Sequence, residues 1–430
     1  MKIHSNIMGK GTSSFRFVDL FAGIGGFHVG MAENGGKCVF ACEIDDDLRK
    51  IYRDNFGIFP EGDIMKVDEK SVPSHDILCA GFPCQPFSLA GKKKGQTCPE
   101  SGQLIDEVVR IAEYHKPRYI LLENVPNIIT IDNGSFWRYM NAKFSDIGYS
   151  LHHRVLSPVD IGVPQNRQRV FIVACRDEED TYTLRWPEQA PQCISLENIL
   201  DNEGVFRVLE PAKASLLTHW QQLLQKLNLT GLHAVSITAP EFGANYPINF
   251  SRLSLKELRK YKGAYGQSLE NCKTWAEALL RLPSYVRKNR QVPDWINSSV
   301  DFSRQLYAEN SLVADEWITD LPRHNNSWQI LEWRGNHENL KINDHLVQFR
   351  ASGIRVFRKD VAPSLISMTP TQVPVIPWLG RYISVREAAK LQNLHNLSSL
   401  PSNNSAAFKA FGNAVNAKIV SMVVSNLIKH

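Results

Sequence analysis

The sequence predicts an α/β protein with a mostly parallel sheet and helices on both of its faces. Two observations lead there. Short apolar runs alternate with segments of helical spacing over the first 175 residues, and a glycine-rich turn separates the first apolar run from the first helical one. "FRFVDLF" reads as a buried strand and "IGGFHVGMAENG" as a helix ending at Gly35. "CVFACEI" is again strand, followed by the polar helix "DDDLRKIYRDNFG". "HDILCAGFP", "PRYILLENV" and "QRVFIVACR" are further strand-like runs, and the helix "GQLIDEVVRIAEYH" lies between the first two of these.

The rhythm stops near Cys175. "RDEEDTYTLRWPEQAPQ" reads as a connector, and seven of the nine tryptophans lie beyond residue 190. In that region "LSLKELRKYKG" and "LPSYVRKNRQVPDW" mix basic and aromatic residues. Singly these lysines suit solvated helix faces; together they suit a nucleic-acid surface, because phosphate contacts need clustered Lys and Arg. The final stretch, "AAFKAFGNAVNAKIVSMVVSNLIKH", is helical, with Val415, Ile419, Val423 and Leu427 in a four-residue strip that must dock on something. The α/β sheet is the expected host.

The 430 residues suffice for one large and one smaller domain, and 43% hydrophobic with 22% charged residues is ordinary globular composition. A formal net charge of +5 permits a polyanionic partner without demanding one. The N-terminal residues lack the apolar core of a signal peptide, and no apolar run is long enough to span a bilayer. Eight scattered cysteines without a CxxC pair imply free thiols, no metal and a cytoplasmic location.

"DLFAGIGG" (Asp19–Gly26) follows a strand and opens a helix, where glycines let the backbone approach a ligand. Glu43 closes the next strand, twenty positions after Gly23, where such folds place a carboxylate for ribose hydroxyls. The dinucleotide fingerprint of a nicotinamide dehydrogenase needs a third glycine where His28 stands. That argues for a nucleoside-type cofactor without phosphate, such as S-adenosylmethionine. Asp63, in "EGDI", follows an expected third strand and suits the adenine amino group.

In "GFPCQPFS" two prolines flank Cys84 at a strand-to-loop corner. A buried structural thiol needs neither proline. A nucleophile held at the carboxyl edge of the sheet uses both. In "LLENVPN", Glu123 closes the next apolar strand; burial there raises a carboxyl pKa and lets it donate a proton. In "PQNRQR", Arg167 and Arg169 are two apart and so share one side of a strand.

The order of these signals is glycine loop, ribose acid, Pro-Cys corner, Glu-Asn-Val, Gln-x-Arg-x-Arg, a variable block and "FGNAVN". In this the chain closely resembles the DNA (cytosine-5)-methyltransferases of bacterial restriction-modification (type II) systems, over residues 15–175 and about 350–430. The resemblance implies a Rossmann-like S-adenosylmethionine-dependent methyltransferase domain (1–180 plus 400–430) and a smaller, irregular target-recognition domain (190–395). It implies that Phe21 packs near adenine, Gly23 and Gly25 line the methionine end, and Glu43 holds the ribose. Ile44 stands where the family often has a larger residue stacking on adenine. Asp63 and Ile64 match adenine-edge positions, and Asn413 a C-terminal contribution to the cofactor site. Cys84 matches the nucleophile, Glu123 the acid and Arg169 the arginine touching the base, with Arg167 supporting it. "RYISVREAAKLQNL" keeps Arg386, Glu387, Leu391 and Gln392 but lacks the usual Thr-Pro before the helix.

The implied reaction is methyl transfer to C5 of a cytosine in a short site of double-stranded DNA, by base flipping and a covalent Cys84–C6 intermediate. The implied setting is a monomer that protects host DNA from a cognate restriction endonuclease without binding it stably. Two alternatives differ in class. A tRNA cytosine-5 methyltransferase of the same fold would need far less chain between the last motifs. An inactive DNA-binding relative would have lost Cys84, Glu123 or the glycines.

Overall fold

The computed structural model describes residues 14–83, 99–188, 194–227, 229, 236–365 and 372–428. They divide into two compact units, one within residues 1–201, 363–368 and 385–430 and the other within 202–362 and 369–384.

The first unit is built on a six-stranded sheet. Its strands are β1 (Arg16–Leu20), β2 (Lys37–Cys42), β3 (Ile77–Ala80), β4 (Tyr119–Asn124), β5 (Ser150–Leu156) and β7 (Arg169–Cys175), in the order β2-β1-β3-β4-β7-β5; β6 (Gln165–Asn166) lies outside it. The first four run parallel, β7 runs antiparallel to β4, and β5 is antiparallel to β7. Five of six strands therefore point one way, as the alternating pattern predicts. Alternation within each strand sends Phe17, Cys79, Leu121 and Val173 into one core cluster and Val18, Leu78, Leu122 and Ile172 into another. A sheet buried on both faces needs such continuous apolar runs. Helices α1 (Gly26–Ala32), α2 (Asp46–Phe56), α3 (Pro99–His115), α4 (Ile131–Asp146) and α5 (Glu178–Thr183) occupy the connections. Asp45 caps α2 through the amides of Asp47 and Leu48, and Gly57 closes it at φ 75°.

Two details depart from the sequence pattern. No strand precedes Asp63 among the described residues; Glu61 alone bridges to Cys42, and the chain then turns into a single 3-10 turn at Ile64–Lys66. β5, "SLHHRVL", carries no clear apolar alternation, because it is an edge strand and mostly exposed.

The second unit has more regular structure than its sequence suggests. It holds a six-stranded sheet in the order β14-β13-β10-β11-β9-β8. The strands are β8 (Ser236–Thr238), β9 (Ile330–Arg334), β10 (Leu346–Arg350), β11 (Gly353–Phe357), β13 (Val375–Ile376) and β14 (Arg381–Tyr382), with β12 (Ala362–Pro363) outside this sheet. Strands of two to five residues give too few alternations to read. Helices α6 (Pro211–Lys226), α7 (Leu255–Leu258), α8 (Trp275–Leu280), α9 (Asn297–Glu309) and α10 (Ser311–Thr319) belong to the same unit. Tyr246, Phe250, Leu269, Leu282 and Val300 form part of its core.

The chain then returns to the first unit as α11 (Val385–Leu391), α12 (Asn404–Asn413) and α13 (Ala417–Leu427). Residues up to 395 were expected in the recognition segment. Instead α11 buries Glu387, Ala388 and Leu391, and Lys390 Nζ donates to the Ile199 carbonyl and to Asp201. The expected apolar strip is buried: Val415, Ile419, Val423 and Leu427 join the core beneath β1 and β3.

α13 packs on α1, and glycine makes that approach possible. A Cβ on Gly26 would lie 2.3 Å from the Val415 carbonyl oxygen, and one on Gly30 would lie 2.6 Å from the Ala417 carbonyl. Neither backbone atom can yield cheaply. Gly26→Ala is therefore expected to cost about 1–3 kcal/mol of stability, read as a lower urea midpoint. Gly62→Ala, whose Cβ would meet only the Arg49 side chain at 3.7 Å, should stay within about 0.5 kcal/mol of the parent. Equal midpoints for the two variants would refute this account of the helix contact.

Candidate active site

Among the described residues, Phe21, Gly23, Gly25, Glu43, Ile44, Asp63, Ile64 and Glu123 lie at or just beyond the carboxyl ends of the parallel strands. This is where ligands bind in open α/β sheets. After β1 the backbone turns through left-handed φ values at Phe21 (56°), Gly23 (54°) and Gly25 (90°). The two glycines take these angles freely. A Cβ on Gly25 would strike the Phe56 ring at 2.2 Å, whereas one on Gly23 would meet nothing within 4 Å. Gly23 thus faces open space.

β2 ends at Cys42, and Glu43 stands one residue beyond it. Its Oε2 accepts from the Gly23 amide at 2.8 Å and its Oε1 from the Asp45 amide at 2.9 Å. The Cys42–Glu61 bridge brings the next loop alongside: the Glu43 amide donates to the Glu61 carbonyl at 2.8 Å. Asp63 follows. Its Oδ1 accepts from the Met65 amide at 3.1 Å, so it caps the turn that buries Ile64. Ile44 is 74% exposed at this edge. Glu43, Glu61 and Asp63 lie close enough together that, with burial as the first cause, they push the Cys42 thiol up to about 12. A carboxylate-rich edge repels a pyrophosphate. It accepts hydroxyl, amino and sulfonium groups, so the donor set fits S-adenosylmethionine better than a dinucleotide.

Further along the edge, Glu123 lies near the end of β4 and is 7% exposed. Its Oε1 stands 3.1 Å from Arg169 Nε, at the start of β7. Burial raises the Glu123 carboxyl above its ordinary value, against the opposing pull of Arg169 and Arg167. Arg167 is not on the strand. Its guanidinium is buried, and it donates to the Leu365 carbonyl at 3.2 Å and the Ala414 carbonyl at 3.1 Å. Burial and the neighbouring Arg169 pull it down to about 9. It links its own segment to those of Leu365 and Ala414.

Cys84 lies outside the described residues. The backbone leading to it is described as far as Pro83, and Asn124 Nδ2 donates to the Phe82 carbonyl at 3.0 Å. That bond ties Phe82, two positions before Cys84 in the sequence, to the strand carrying Glu123. Asn413 is exposed at the end of α12. Three residues later Asn416 caps α13 through the Ile419 amide and donates to the Leu391 carbonyl.

Sequence reasoning passed over Asn124, Asn416 and a buried group under the glycine loop. Asp19 sits wholly buried in β1, and Tyr52 OH donates to its Oδ2 at 3.1 Å. Tyr52 OH also lies 2.7 Å from His28 Nδ1, and the His28 ring stacks on Phe56 at 3.8 Å. The signal for Asp19 was available: it is an acid within an apolar strand. Asn124 leaves no local signal for its bond to Phe82, nor Asn416 for its bond to Leu391, because those partners are distant in sequence; the Asn416 cap on α13 is local. Among the described residues no cluster of three or more His, Cys, Asp or Glu could hold a metal, and no helix is long and apolar enough to cross a membrane.

A glycine turn after β1, a carboxylate after β2 and a buried carboxyl near the end of β4 fit a Rossmann-like methyltransferase fold. The chain belongs to the C-5 cytosine-specific DNA methylase family, whose model matches residues 15–429. It is 48% identical over 163 residues to the type II methyltransferase M.MspI of Moraxella sp., which covers 38% of this chain and 39% of that protein. It is 40% identical over 182 residues to M.HhaI of Haemophilus parahaemolyticus, covering 42% of this chain and 55% of that one. The matched stretches thus span less than two thirds of these relatives. Among solved structures, a protein assigned as a DNA modification methyltransferase within an E. coli prophage aligns with a TM-score of 0.52 at 16% identity, over 96% of this chain and 98% of that one. The Entamoeba histolytica methyltransferase EhMeth aligns at 0.50 and 12% identity, over 97% and 98%. Both likenesses concern the fold.

Asp19 supplies a test of the loop's foundations. Burial holds its carboxyl well above the ordinary 3.8. The folded state therefore binds this proton more tightly than the unfolded state. Stability from it is fully present below about pH 4 and is lost as pH rises through the folded value. Asp19→Asn is expected to remove that loss, so the Tm difference between variant and parent should move in the variant's favour from pH 4 to pH 7. A difference that stays constant over this range would contradict the assignment.

Proposed function

We propose that this protein transfers a methyl group from S-adenosylmethionine to C5 of a cytosine within a specific short sequence of double-stranded DNA, as the modification enzyme of a type II restriction-modification system. The observation that carries the reading is the buried Glu123 carboxyl paired with Arg169, on the strand whose Asn124 side chain donates to the Phe82 carbonyl. Family membership and the type II relatives support it.

Phe21, Gly23, Gly25, Glu43, Ile44, Asp63 and Ile64 hold the cofactor, with Asn413 contributing from the C-terminal segment. When bound it supplies a sulfonium methyl group electrophilic enough for an activated carbon to attack. Cytosine C5 is too weak a nucleophile unaided. The Cys84 thiolate adds to C6, and the C5–C6 π electrons shift toward C5 while Glu123 gives its proton to N3. The raised pKa of Glu123 keeps that proton available. Arg169 holds the Glu123 carboxyl and contacts the base, and Arg167 fixes the segments around them. After methylation a base removes the C5 proton, the C5–C6 double bond re-forms, the thiolate leaves, and the N3 proton returns to Glu123. A stacked base is out of reach of these groups, so the target must flip out; methyltransferases are a standard example of this behaviour. The second unit reads the sequence, and a cognate endonuclease acts on the same site without a stable complex. The enzyme works as a monomer in the cytoplasm.

DNA carrying 5-fluorocytosine tests the chemistry. Addition and methylation can proceed, but the last step would need to expel fluorine as a cation. A complex that survives detergent is expected only with S-adenosylmethionine present, and Cys84→Ser should abolish it. Attachment located by mass spectrometry on any other residue would overturn the mechanism.

Two carboxylates should separate by role. Glu43→Ala is expected to weaken S-adenosylmethionine binding in calorimetry. Glu123→Gln should leave that affinity unchanged and slow single-turnover methylation by about a hundredfold or more. Unaltered cofactor affinity in Glu43→Ala would remove Glu43 from the cofactor site.

A further inference from the structure

The second unit contains a cleft of about 450 Å³ that the chemistry above does not use. Its size is that of a small-ligand site. It is lined by Tyr265, Tyr285, Trp295, Arg287, Arg323 and Gln329 among others, and its lining holds two guanidinium groups and no carboxylate. Trp295 is 64% exposed.

The walls are built rather than incidental. Tyr265 takes a left-handed backbone at φ 55°, which costs a non-glycine residue energy and persists only where the surroundings hold it. Its hydroxyl donates to Gln329, whose amide donates to the Arg323 carbonyl at 2.9 Å. The Arg323 guanidinium lies 4.3 Å over the Tyr265 ring. On the other wall, Tyr285 and Tyr246 both donate to the fully buried Glu241, and Arg304 Nε donates to its second oxygen at 2.9 Å. Aromatic planes are therefore fixed before anything binds.

Ala351 and Ser352, in the β10–β11 turn, also line the cleft. The residue before them, Arg350, shares the Glu332 carboxylate with Arg334 and Arg355, at 3.5, 2.9 and 2.6 Å. Three guanidiniums around one acid leave a net positive charge beside the cleft's chain segment, which suits a phosphodiester.

A helix or ribbon that reads paired bases protrudes into a groove. A concave site cannot reach stacked base edges; it receives a base that has left the stack, and aromatic or arginine planes bind such a base on its face. We propose that this cleft receives a second extrahelical base of the DNA substrate, other than the target cytosine, with a neighbouring phosphate on the Arg334, Arg350 and Arg355 cluster. The inference rests on the DNA-methylating function proposed above. The base is not the target, because Glu123 and Cys84 belong to the other unit and the cleft lining contains no cysteine and no acid.

Photocrosslinking tests it on the whole chain. Plasmid DNA containing 5-iodouracil, and separately 5-iodocytosine, is irradiated with the protein and S-adenosylhomocysteine, and the joined peptides are identified. Crosslinks at Tyr265, Tyr285 or Trp295 are expected. Trp295→Ala and Arg323→Ala should each weaken plasmid binding by about fivefold or more, the worth of one stacking contact, with S-adenosylmethionine affinity unchanged. Trp295 is exposed, so its loss tests binding without endangering the fold. Crosslinks confined to other residues, or both variants binding as the parent does, would overturn the proposal. A parent protein that fails to methylate plasmid or genomic DNA refutes the proposed function instead; one that methylates normally without crosslinks in the cleft refutes this inference alone.

Discussion

The turn at Ala414–Asn416 is the point on which the first unit depends. Its Val415 carbonyl abuts Gly26, and the Val415 side chain meets the space over Gly81 at 3.3 Å. The Ala414 carbonyl accepts from Arg167, and the Asn416 side chain reaches the Leu391 carbonyl while capping α13. One turn thus touches the loops after β1 and β3, the segment before β7 and the end of α11. Each contact is a backbone approach or a buried hydrogen bond, so none can be exchanged for a looser one at small cost. The glycine loop and the backbone at Gly81, just after β3, are braced by the same turn.

Around that turn the sheet edge handles charge in two ways. At the β2 end, carboxylates accumulate and are satisfied by backbone amides, as Glu43 is by Gly23 and Asp45. At the β4 end, a single carboxyl is buried among guanidiniums, and desolvation outweighs their attraction so that its pKa still rises. The first arrangement orients a carboxylate. The second keeps one able to carry a proton. Two acids of similar intrinsic strength are given different work by their surroundings.

Much of this was legible in the sequence, and the reasons are local. Strands buried on both faces announce themselves as apolar runs, and the glycine turn, Glu43 and Glu123 sit at fixed offsets from such runs. Asp63 was placed by position after an expected strand, which is a single bridge at Glu61. Arg167 and Arg169 were read as neighbours on one strand; they come to flank Glu123 because the chain bends between β6 and β7. The Asn124–Phe82, Asn416–Leu391 and Tyr52–Asp19 bonds were not legible, since each depends on a partner brought near only by the fold. The second unit was read as irregular because its strands are too short to show a period. Its cleft depends on ring stacking and a strained Tyr265 that no spacing rule reports.

The return of α13 to pack against α1 has a consequence for biosynthesis. Roughly 240 residues separate β7 from α13, so at about 5–20 residues per second the ribosome takes on the order of 10–50 s to deliver the missing helix. During that interval the glycine loop lacks the backbone it rests against, and one face of the emerging sheet is uncovered. The second unit, encoded in between, can fold first. A nascent chain therefore carries a finished second unit before a finished glycine loop. Premature termination before residue 414 would leave a protein whose first unit cannot close.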